Sequence, residues 1–223
     1  MSTPKKRKSH TRKTKRRSHH ALKKIKKDVR VLNVDPLPAR FQFLNSGQFI
    51  QNFESKHDLV KNTDLALVFD TNDERLLEPL FSNLKINCKE ILFIDHHPRL
   101  QKGPQPTAGS FINTAAASTG EIVYELIKEL GIELDQEIAS CLYTSIAFDT
   151  QLFRYIRGSS VSHLICAELL NYDLGPEKIH RHLFGNQTIQ KISFIANALS
   201  RIEYFFEGQV ALLKISDQEL RWL

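Results

Sequence analysis

Three short apolar runs along the chain each end in an aspartate. They are VRVLNVD (29–35), LALVFD (65–70) and EILFID (90–95). Apolar runs of this length are typical of strands in a sheet that is covered on both faces. We therefore expect all three runs to be strands that are buried on both faces.

Segments in which apolar residues have helical spacing lie between these runs and after them. Residues 74–84 predict a helix, interrupted by Pro79, between the second and third strands, which gives a β-α-β unit and a parallel sheet. The segment GEIVYELIKEL has an apolar face, with Ser118 or Thr119 as its N-cap and Gly131 as its stop. The pattern predicts an α/β fold whose parallel sheet is flanked by helices.

Further helical patterns lie toward the C-terminus. Asp135 is placed to cap a helix that ends near Asp149. Helical spacing continues over residues 162–170, 176–184 and 188–205, and the closing run QVALLKI predicts a strand.

The positive charge of the chain is confined to its first residues. The net charge is +6, but residues 1–27 hold thirteen of the 31 Lys and Arg residues and no acid. The remaining 18 basic residues face 25 acids, so the body alone has a formal charge of −7. We expect residues 1–28 to form a basic arm that is disordered alone and binds a polyanion such as RNA. A merely solubilising tail is the alternative.

The sequence shows no feature of export or membrane insertion. No apolar run has the length of a bilayer span, and no apolar stretch follows the basic start as in a signal peptide. Cys88, Cys141 and Cys166 are far apart and indicate buried thiols in a reducing compartment. We therefore expect a cytoplasmic protein without a membrane partner.

Carboxylates and imidazoles stand at the ends of the predicted elements. Asp70 and Asp95 close two strands, His96 and His97 follow at once, and Asp149 ends a helix. Parallel sheets place ligands at the carboxyl ends of their strands, so these side chains are expected to converge. Such a set suits Mn, Mg, Fe or Zn, and a pair of ions can activate water for attack on phosphorus. Taken singly, each Asp is equally explained as a helix cap and each His as a surface or packing residue.

Four segments, in the order FDTND, IDHHP, GEIVYELI and FDTQLFRY, carry a family resemblance. Together they resemble the DHH phosphoesterases, and most closely the bacterial enzymes that degrade very short RNAs and an adenosine nucleotide bearing two phosphates. RecJ-type nucleases and cyclic-dinucleotide phosphodiesterases are more distant relatives. The resemblance implies a phosphodiesterase that uses one or two Mn²⁺ ions, with Mg²⁺ as a substitute.

The same resemblance implies a role for each candidate residue. It implies that Asp70, His96 and Asp149 bind metal. It further implies that Asp95 supports the site from outside the ligand set and that His97 reaches the substrate phosphate.

The chain departs from the family pattern in several places. No His-x-x-x-Asp-x-Asp motif, which supplies three metal ligands in the family, precedes residue 29, so we expect impaired activity. Gln151 stands where the family usually has glycine after Asp-Thr. We expect residues 29–205 to form a phosphoesterase-like domain without its first strand, and residues 206–223 to begin a truncated C-terminal domain.

The basic arm carries a resemblance of its own. Its Met-x-x-Pro-Lys start and the run RRSHHAL resemble the N-terminal extension of the thirty-second protein of the bacterial large ribosomal subunit. That resemblance implies contact with ribosomal RNA through Lys5, Lys6, Arg7, Lys8, Arg12, Lys13, Lys15, Arg16 and Arg17.

Three functions are compatible with these features. The first is a metal-dependent phosphodiesterase for short oligonucleotides or small nucleotides, tested by hydrolysis of dinucleotide RNA. The second is a structural protein of the large ribosomal subunit, tested by its presence in salt-washed subunits. The third is a non-catalytic RNA-binding protein, tested by salt-sensitive, metal-independent RNA binding of residues 1–27.

Overall fold

The computed structural model describes residues 28–53, 60–103 and 105–220. The chain divides into two compact units between Ile179 and His180. The predicted disorder of the basic arm falls outside the described residues, and the predicted domain limits at residues 205 and 206 stay a prediction.

The first unit alternates short strands with helices. Its strands are β1 (Val31–Asn33), β2 (Ile50–Asn52), β3 (Thr63–Phe69), β4 (Cys88–Asp95) and β5 (Phe111–Ile112). Its helices are α1 (Leu80–Asn87), α2 (Thr119–Glu129), α3 (Gln136–Asp149) and α4 (Val161–Leu169), and α5 (Pro176–His180) follows at the division.

The strands of this unit pair in parallel, as the sequence predicts. β3, β4 and β5 form one sheet in that order, and β1 pairs with β2 in a second. β3, α1 and β4 are the predicted β-α-β unit. The structure thus confirms an α/β fold with parallel sheets flanked by helices, although β2 has no counterpart among the predicted strands.

The prediction of burial on both faces is wrong for the β1 run, in which Val31 is 44% exposed, and for the β3 run. Val68 packs against Phe81 of α1 in the core. On the opposite face of the strand, Leu65, Leu67 and Phe69 are 46%, 44% and 45% exposed. Because side chains alternate between the faces of a strand, α1 covers only the face that carries Val68.

Pro79 divides the helix predicted over residues 74–84. Glu74–Leu77 forms a 3₁₀ turn, which Asp73 caps by accepting a hydrogen bond from the backbone N–H of Arg75. α1 begins only after Pro79, because proline has no N–H for the helix ladder and its ring blocks the preceding turn.

Side-chain caps fix α2 and α3 at their predicted starts. Ser118 accepts a hydrogen bond from the backbone N–H of Glu121, and Asp135 accepts one in the first turn of α3. Gly131, with a φ of 62°, follows the end of α2. α3 ends at Asp149, as predicted. These caps set the register that brings Asp149 to the end of its helix.

The described part of the second unit contains a π-helical turn, two α-helices and a β-hairpin. Its elements are a π-helical turn (Arg181–Gly185), α6 (Ile189–Ser200), β6 (Glu203–Phe205), β7 (Val210–Leu212) and α7 (Asp217–Leu220). The helix predicted over residues 188–205 is therefore shorter than predicted. Residues 203–205 form β6 instead, which pairs antiparallel with β7. The strand predicted in QVALLKI is confirmed.

No helix within the described ranges has the length and apolarity needed to cross a bilayer. The three cysteines are free thiols: Cys166 is buried, and Cys88 and Cys141 are half-buried. A cytoplasmic location stays a prediction.

Candidate metal centre

The polar side chains predicted at element ends meet at the carboxyl edge of the three-stranded sheet. Asp70 follows β3, Asp95 closes β4, and His96 and His97 come next. One ligand atom from each of these four residues lies within 4.8 Å of the others. Asp149 joins them from the end of α3, with its Oδ2 at 3.9 Å from Nε2 of His96. All five predicted site residues are therefore close together, while their separate roles stay predictions.

Asp95 is the fully buried centre of a hydrogen-bond network. Its Oδ1 accepts hydrogen bonds from the backbone N–H of His96 and from Nδ1 of His97, both at 2.8 Å. Its Oδ2 accepts one from the Asn72 amide at 2.6 Å. Because protein donors already engage both oxygens, this carboxylate suits a supporting role better than a metal-binding one.

The ring of His96 turns its Nε2 toward two carboxylates. Its Nδ1 lies 3.4 Å from the carbonyl oxygen of Ala116, an acceptor, which favours the proton on Nδ1 and a lone pair on Nε2. Nε2 lies 3.6 Å from Oδ1 of Asp70, in addition to its approach to Asp149. Burial lowers the pKa of His96, and the neighbouring His97 acts in the same direction. The neutral ring, which is the form that binds metal, is therefore favoured.

Asp149 carries a buried oxygen without a partner. Its Oδ2 accepts no hydrogen bond from the described residues. Burial, followed by the charge of Asp70, raises the pKa of Asp149 to about 7, although His97 and a backbone hydrogen bond from Thr119 act in the opposite direction. An ionised carboxylate with a buried oxygen that lacks a partner, beside another carboxylate, is unfavourable, and a bound cation reverses that penalty.

Asp70 forms the open side of the cluster. Its side chain is 53% exposed. Its backbone has a φ of 65°, a left-handed conformation that aspartate tolerates better than most residues. Its backbone N–H donates to the Ile94 carbonyl at 3.1 Å, which extends the ladder between β3 and β4 past the strand end. The side chain of Thr119 donates to its Oδ1 at 2.8 Å.

Two residues that complete the cluster were not predicted as site residues. Asn72, which is buried, holds Asp95 and also donates to the carbonyl of His97 at 3.0 Å. Thr119 contacts Asp70 through its hydroxyl and Asp149 through its backbone N–H. Their positions in the sequence could have identified them as site residues. Asn72 lies in FDTND just after β3, and Thr119 opens α2, where helix N–H groups favour anions.

The donor set of this cluster fits a divalent cation. Distances of 3.6 and 3.9 Å from Nε2 of His96 to the two carboxylates are too long for hydrogen bonds. They suit atoms that share one ion lying about 2 Å from each. Two carboxylates and a neutral imidazole are ligands that Mn²⁺, Fe²⁺ and Zn²⁺ all accept. Oδ2 of Asp149 accepts no hydrogen bond from the described residues, so it is available as a ligand for the cation.

The predicted RNA contacts of the basic arm lie outside the described residues and stay predictions. They are Lys5, Lys6, Arg7, Lys8, Arg12, Lys13, Lys15, Arg16 and Arg17.

Sequence comparison relates the chain to longer bacterial proteins. It is 31% identical over 153 residues to an uncharacterized protein of Mycoplasma genitalium, a match that covers 64% of this chain and 45% of the relative. It is also 31% identical over 112 residues to the probable bifunctional oligoribonuclease and PAP phosphatase NrnA of Streptococcus mutans, covering 49% of this chain and 33% of the relative. The chain thus spans less than half the length of these curated relatives.

Structural comparison gives the same picture of the fold. The chain is similar to the crystal structure of an exopolyphosphatase-related protein from Bacteroides fragilis, with a TM-score of 0.79 and 20% sequence identity. The match covers 91% of this chain and 61% of that one. At this level of identity, the likeness concerns the fold alone.

A family profile covers the cluster itself. The DHH family, N-terminal domain, matches residues 15–146, which include Asp70 and the Asp95-His96-His97 triplet and end shortly before Asp149. Because this match extends over more than half of the 223 residues, the chain belongs to the DHH family.

Proposed function

We propose that this chain is a metal-dependent phosphoesterase whose ion is held by Asp70, His96 and Asp149. The observation that carries the proposal is the buried Oδ2 of Asp149, which has no hydrogen-bond partner among the described residues and lies 3.9 Å from Nε2 of His96. When bound, the ion supplies positive charge that polarises a phosphoryl oxygen and favours the loss of a proton from water.

The remaining residues of the cluster orient its groups. Asp95 fixes the His97 ring by accepting its Nδ1 hydrogen, which leaves Nε2 on the half-exposed side of the ring. With Nδ1 held by the buried Asp95 carboxylate, Nε2 is the ring nitrogen left to contact a phosphate oxygen. Asn72 restrains both residues through the Asp95 carboxylate and the His97 carbonyl. We propose that this arrangement holds His97 against the substrate phosphate.

The substrate class follows from the relatives as part of the same proposal. The relative from Streptococcus mutans is named as an oligoribonuclease and PAP phosphatase. We propose that this chain acts on short oligoribonucleotides or small nucleotides, with Mn²⁺ as the ion and Mg²⁺ as a weaker substitute. The oxygen-rich ligand pair of Asp70 and Asp149 supports that choice of metal.

We further propose slow turnover. The ligand set named here contains three side chains, enough for one ion. A single ion contacts fewer of the attacking and leaving oxygens than a pair does, so it stabilises the transition state less.

The test is hydrolysis of dinucleotide RNA by the full chain with Mn²⁺, compared across two variants. Asp149→Asn removes a proposed ligand while keeping the volume of the side chain. Asp64→Asn is the matched control, because it makes the same chemical change away from the cluster. Asp64 lies on β3, is 82% exposed and forms an ion pair with Lys89. We expect Asp149→Asn to abolish hydrolysis and Asp64→Asn to keep it. Equal rates in wild type and Asp149→Asn would contradict the proposal.

A second candidate function rests on the basic arm. Thirteen Lys and Arg residues without an acid in residues 1–27 favour binding to the phosphates of RNA. We propose ribosomal RNA as the alternative partner of the chain. Recovery of the chain with salt-washed large ribosomal subunits supports this function, and its complete loss in the wash contradicts it.

A further inference from the structure

Arg157 is an exposed cation beside the cluster. Its Nη1 donates a hydrogen bond to the carbonyl oxygen of Thr114. Among residues 28–53, 60–103 and 105–220, no carboxylate lies within ion-pair distance of this guanidinium. Arginine has five N–H donors in a planar fork, and this contact uses one of them. The group therefore keeps both its charge and most of its donors for a ligand.

The contact with Thr114 ties Arg157 to the loop that supports the cluster. That loop leads from β5 to α2. At its start, the backbone N–H of Asn113 donates to the Asp95 carbonyl at 2.9 Å, and further along the Ala116 carbonyl faces Nδ1 of His96. The charge of Arg157 also contributes, as the weakest of several causes, to the lowered pKa of His96. These contacts place the guanidinium at the rim of the proposed metal site.

The backbone around Arg157 adopts a conformation that few side chains favour. Arg157 has a φ of 51°, and Gly158 follows with a φ of 68°. The backbone N–H of Ser159 donates to the Ile156 carbonyl at 3.0 Å and closes this turn. A left-handed arginine is unfavourable, and such conformations cluster at functional sites because the surrounding structure holds them there. Here the turn presents the side chain of Arg157 toward Thr114.

We propose that Arg157 binds a phosphate group of the substrate at the rim of the Asp70, His96 and Asp149 cluster. The cluster is rich in carboxylates, which repel an anionic substrate until a cation is near. A guanidinium with free donors attracts a phosphate and can contact two of its oxygens at once. The substrate class in this inference rests on the proposed function, whereas the prediction of anion binding by Arg157 does not require hydrolysis.

Direct binding tests the inference without turnover. The probe is a phosphorothioate-linked dinucleotide RNA with a 5′ phosphate, titrated calorimetrically into the full chain, once with a chelator and once with Mn²⁺. Arg157→Gln removes the charge but keeps an amide that can still donate to Thr114. Arg157→Lys keeps the charge but loses the fork. Lys178→Gln, on α5, is the control that removes one positive charge elsewhere.

We expect Arg157→Gln to raise the dissociation constant by about tenfold or more, as for the loss of a hydrogen bond between charged groups. Arg157→Lys should lie between this variant and the wild type, and Lys178→Gln should stay within about twofold of the wild type. The arm is intact in every variant, so the variants differ from the wild type only at the substituted residue.

Two results of the binding experiment overturn the inference. One is a dissociation constant for Arg157→Gln equal to that of Lys178→Gln, which would leave Arg157 as a support for the loop only. The other is no measurable binding by the wild type. Hydrolysis with an unchanged KM in Arg157→Gln leaves the proposed function standing without the inference. Binding that depends on Arg157 in a chain that hydrolyses nothing leaves the inference standing without the proposed function.

Discussion

The cluster has two sides, and their carboxylates, Asp95 and Asp149, differ in how fully their oxygens are hydrogen-bonded. On one side, Asp95 accepts hydrogen bonds from Asn72, His97 and the backbone of His96, and both of its oxygens are satisfied. On the other side, Asp149 keeps an oxygen without a partner among the described residues. Protein donors alone satisfy the Asp95 carboxylate, whereas the ionised Asp149 carboxylate becomes favourable only when a cation is bound beside it.

This difference separates structural support from ligand binding. Each hydrogen bond to a charged group contributes about 1.5–3 kcal/mol, so the Asp95 network stabilises the folded chain. The Asp149 carboxylate instead shows a pKa raised to about 7, because burial and the charge of Asp70 disfavour its ionised form. A bound cation reverses this penalty, because it favours the ionised form of the carboxylate.

Removal of the Asp95 carboxylate should have the largest effect. Asp95→Ala removes the acceptor of two buried donors, the Asn72 amide and the His96 backbone N–H, and of the half-exposed His97 ring. We expect the free energy of unfolding to fall by about 3–5 kcal/mol. Urea denaturation of the metal-free chain measures this loss. A loss below about 1 kcal/mol would show that the network does not stabilise the fold.

The pH dependence of stability should come from the Asp149 side. Its pKa is about 7 in the folded chain, against an ordinary value of 3.8, so the folded state binds the proton more tightly than the unfolded state does. Stability from this group is therefore fully present below about pH 4 and declines as the pH rises through about 7. We expect a decline of about 2 kcal/mol in metal-free protein, less than the full shift implies because the carboxylate is partly exposed.

The variant Asp149→Asn is the control for this pH dependence. Asp149→Asn removes the titrating group, so the variant should lack this decline and exceed the wild type in stability at pH 8. Denaturation curves at pH 5 and pH 8 for both proteins give the difference directly. Parallel pH profiles in the two proteins would contradict the assignment.

A smaller effect is expected in the turn that follows Asp149. Gln151, Leu152 and Phe153 have φ values of 48°, 58° and 65°, all in the left-handed region. Gln151→Gly should raise the free energy of unfolding by about 0.5–1 kcal/mol, because glycine adopts this conformation without strain but loses more freedom on folding. Thermal melting measures the change, and a lower melting temperature for the glycine variant would contradict it.

Sequence patterns predicted the parts of this structure that depend on local periodicity and capping. The β3–α1–β4 unit, the caps of α2 and α3, and the position of Asp149 follow from apolar spacing and from Ser118 and Asp135. The convergence of the site followed from the rule that parallel strands end at one edge. These features are set by residues close together in the chain.

The features that the sequence did not reveal depend on distant contacts. The exposed face of β3 depends on which elements pack over the sheet, and a run of apolar letters is the same in either case. The helix predicted to residue 205 ends at Ser200 because β6 finds a partner in β7. Asn72 and Thr119 gain their roles only when β4 and α2 are brought beside β3.

Metal binding at equilibrium is the most direct test of whether Asp149 belongs to a metal site. The full chain, Asp149→Asn and Asp64→Asn would be titrated with Mn²⁺ at pH 8, with free ion followed by electron paramagnetic resonance. We predict at least one bound ion per chain for the wild type and for Asp64→Asn, and binding at least about 100-fold weaker for Asp149→Asn. Equal affinity in Asp149→Asn and Asp64→Asn, or no binding by the wild type, would contradict this prediction.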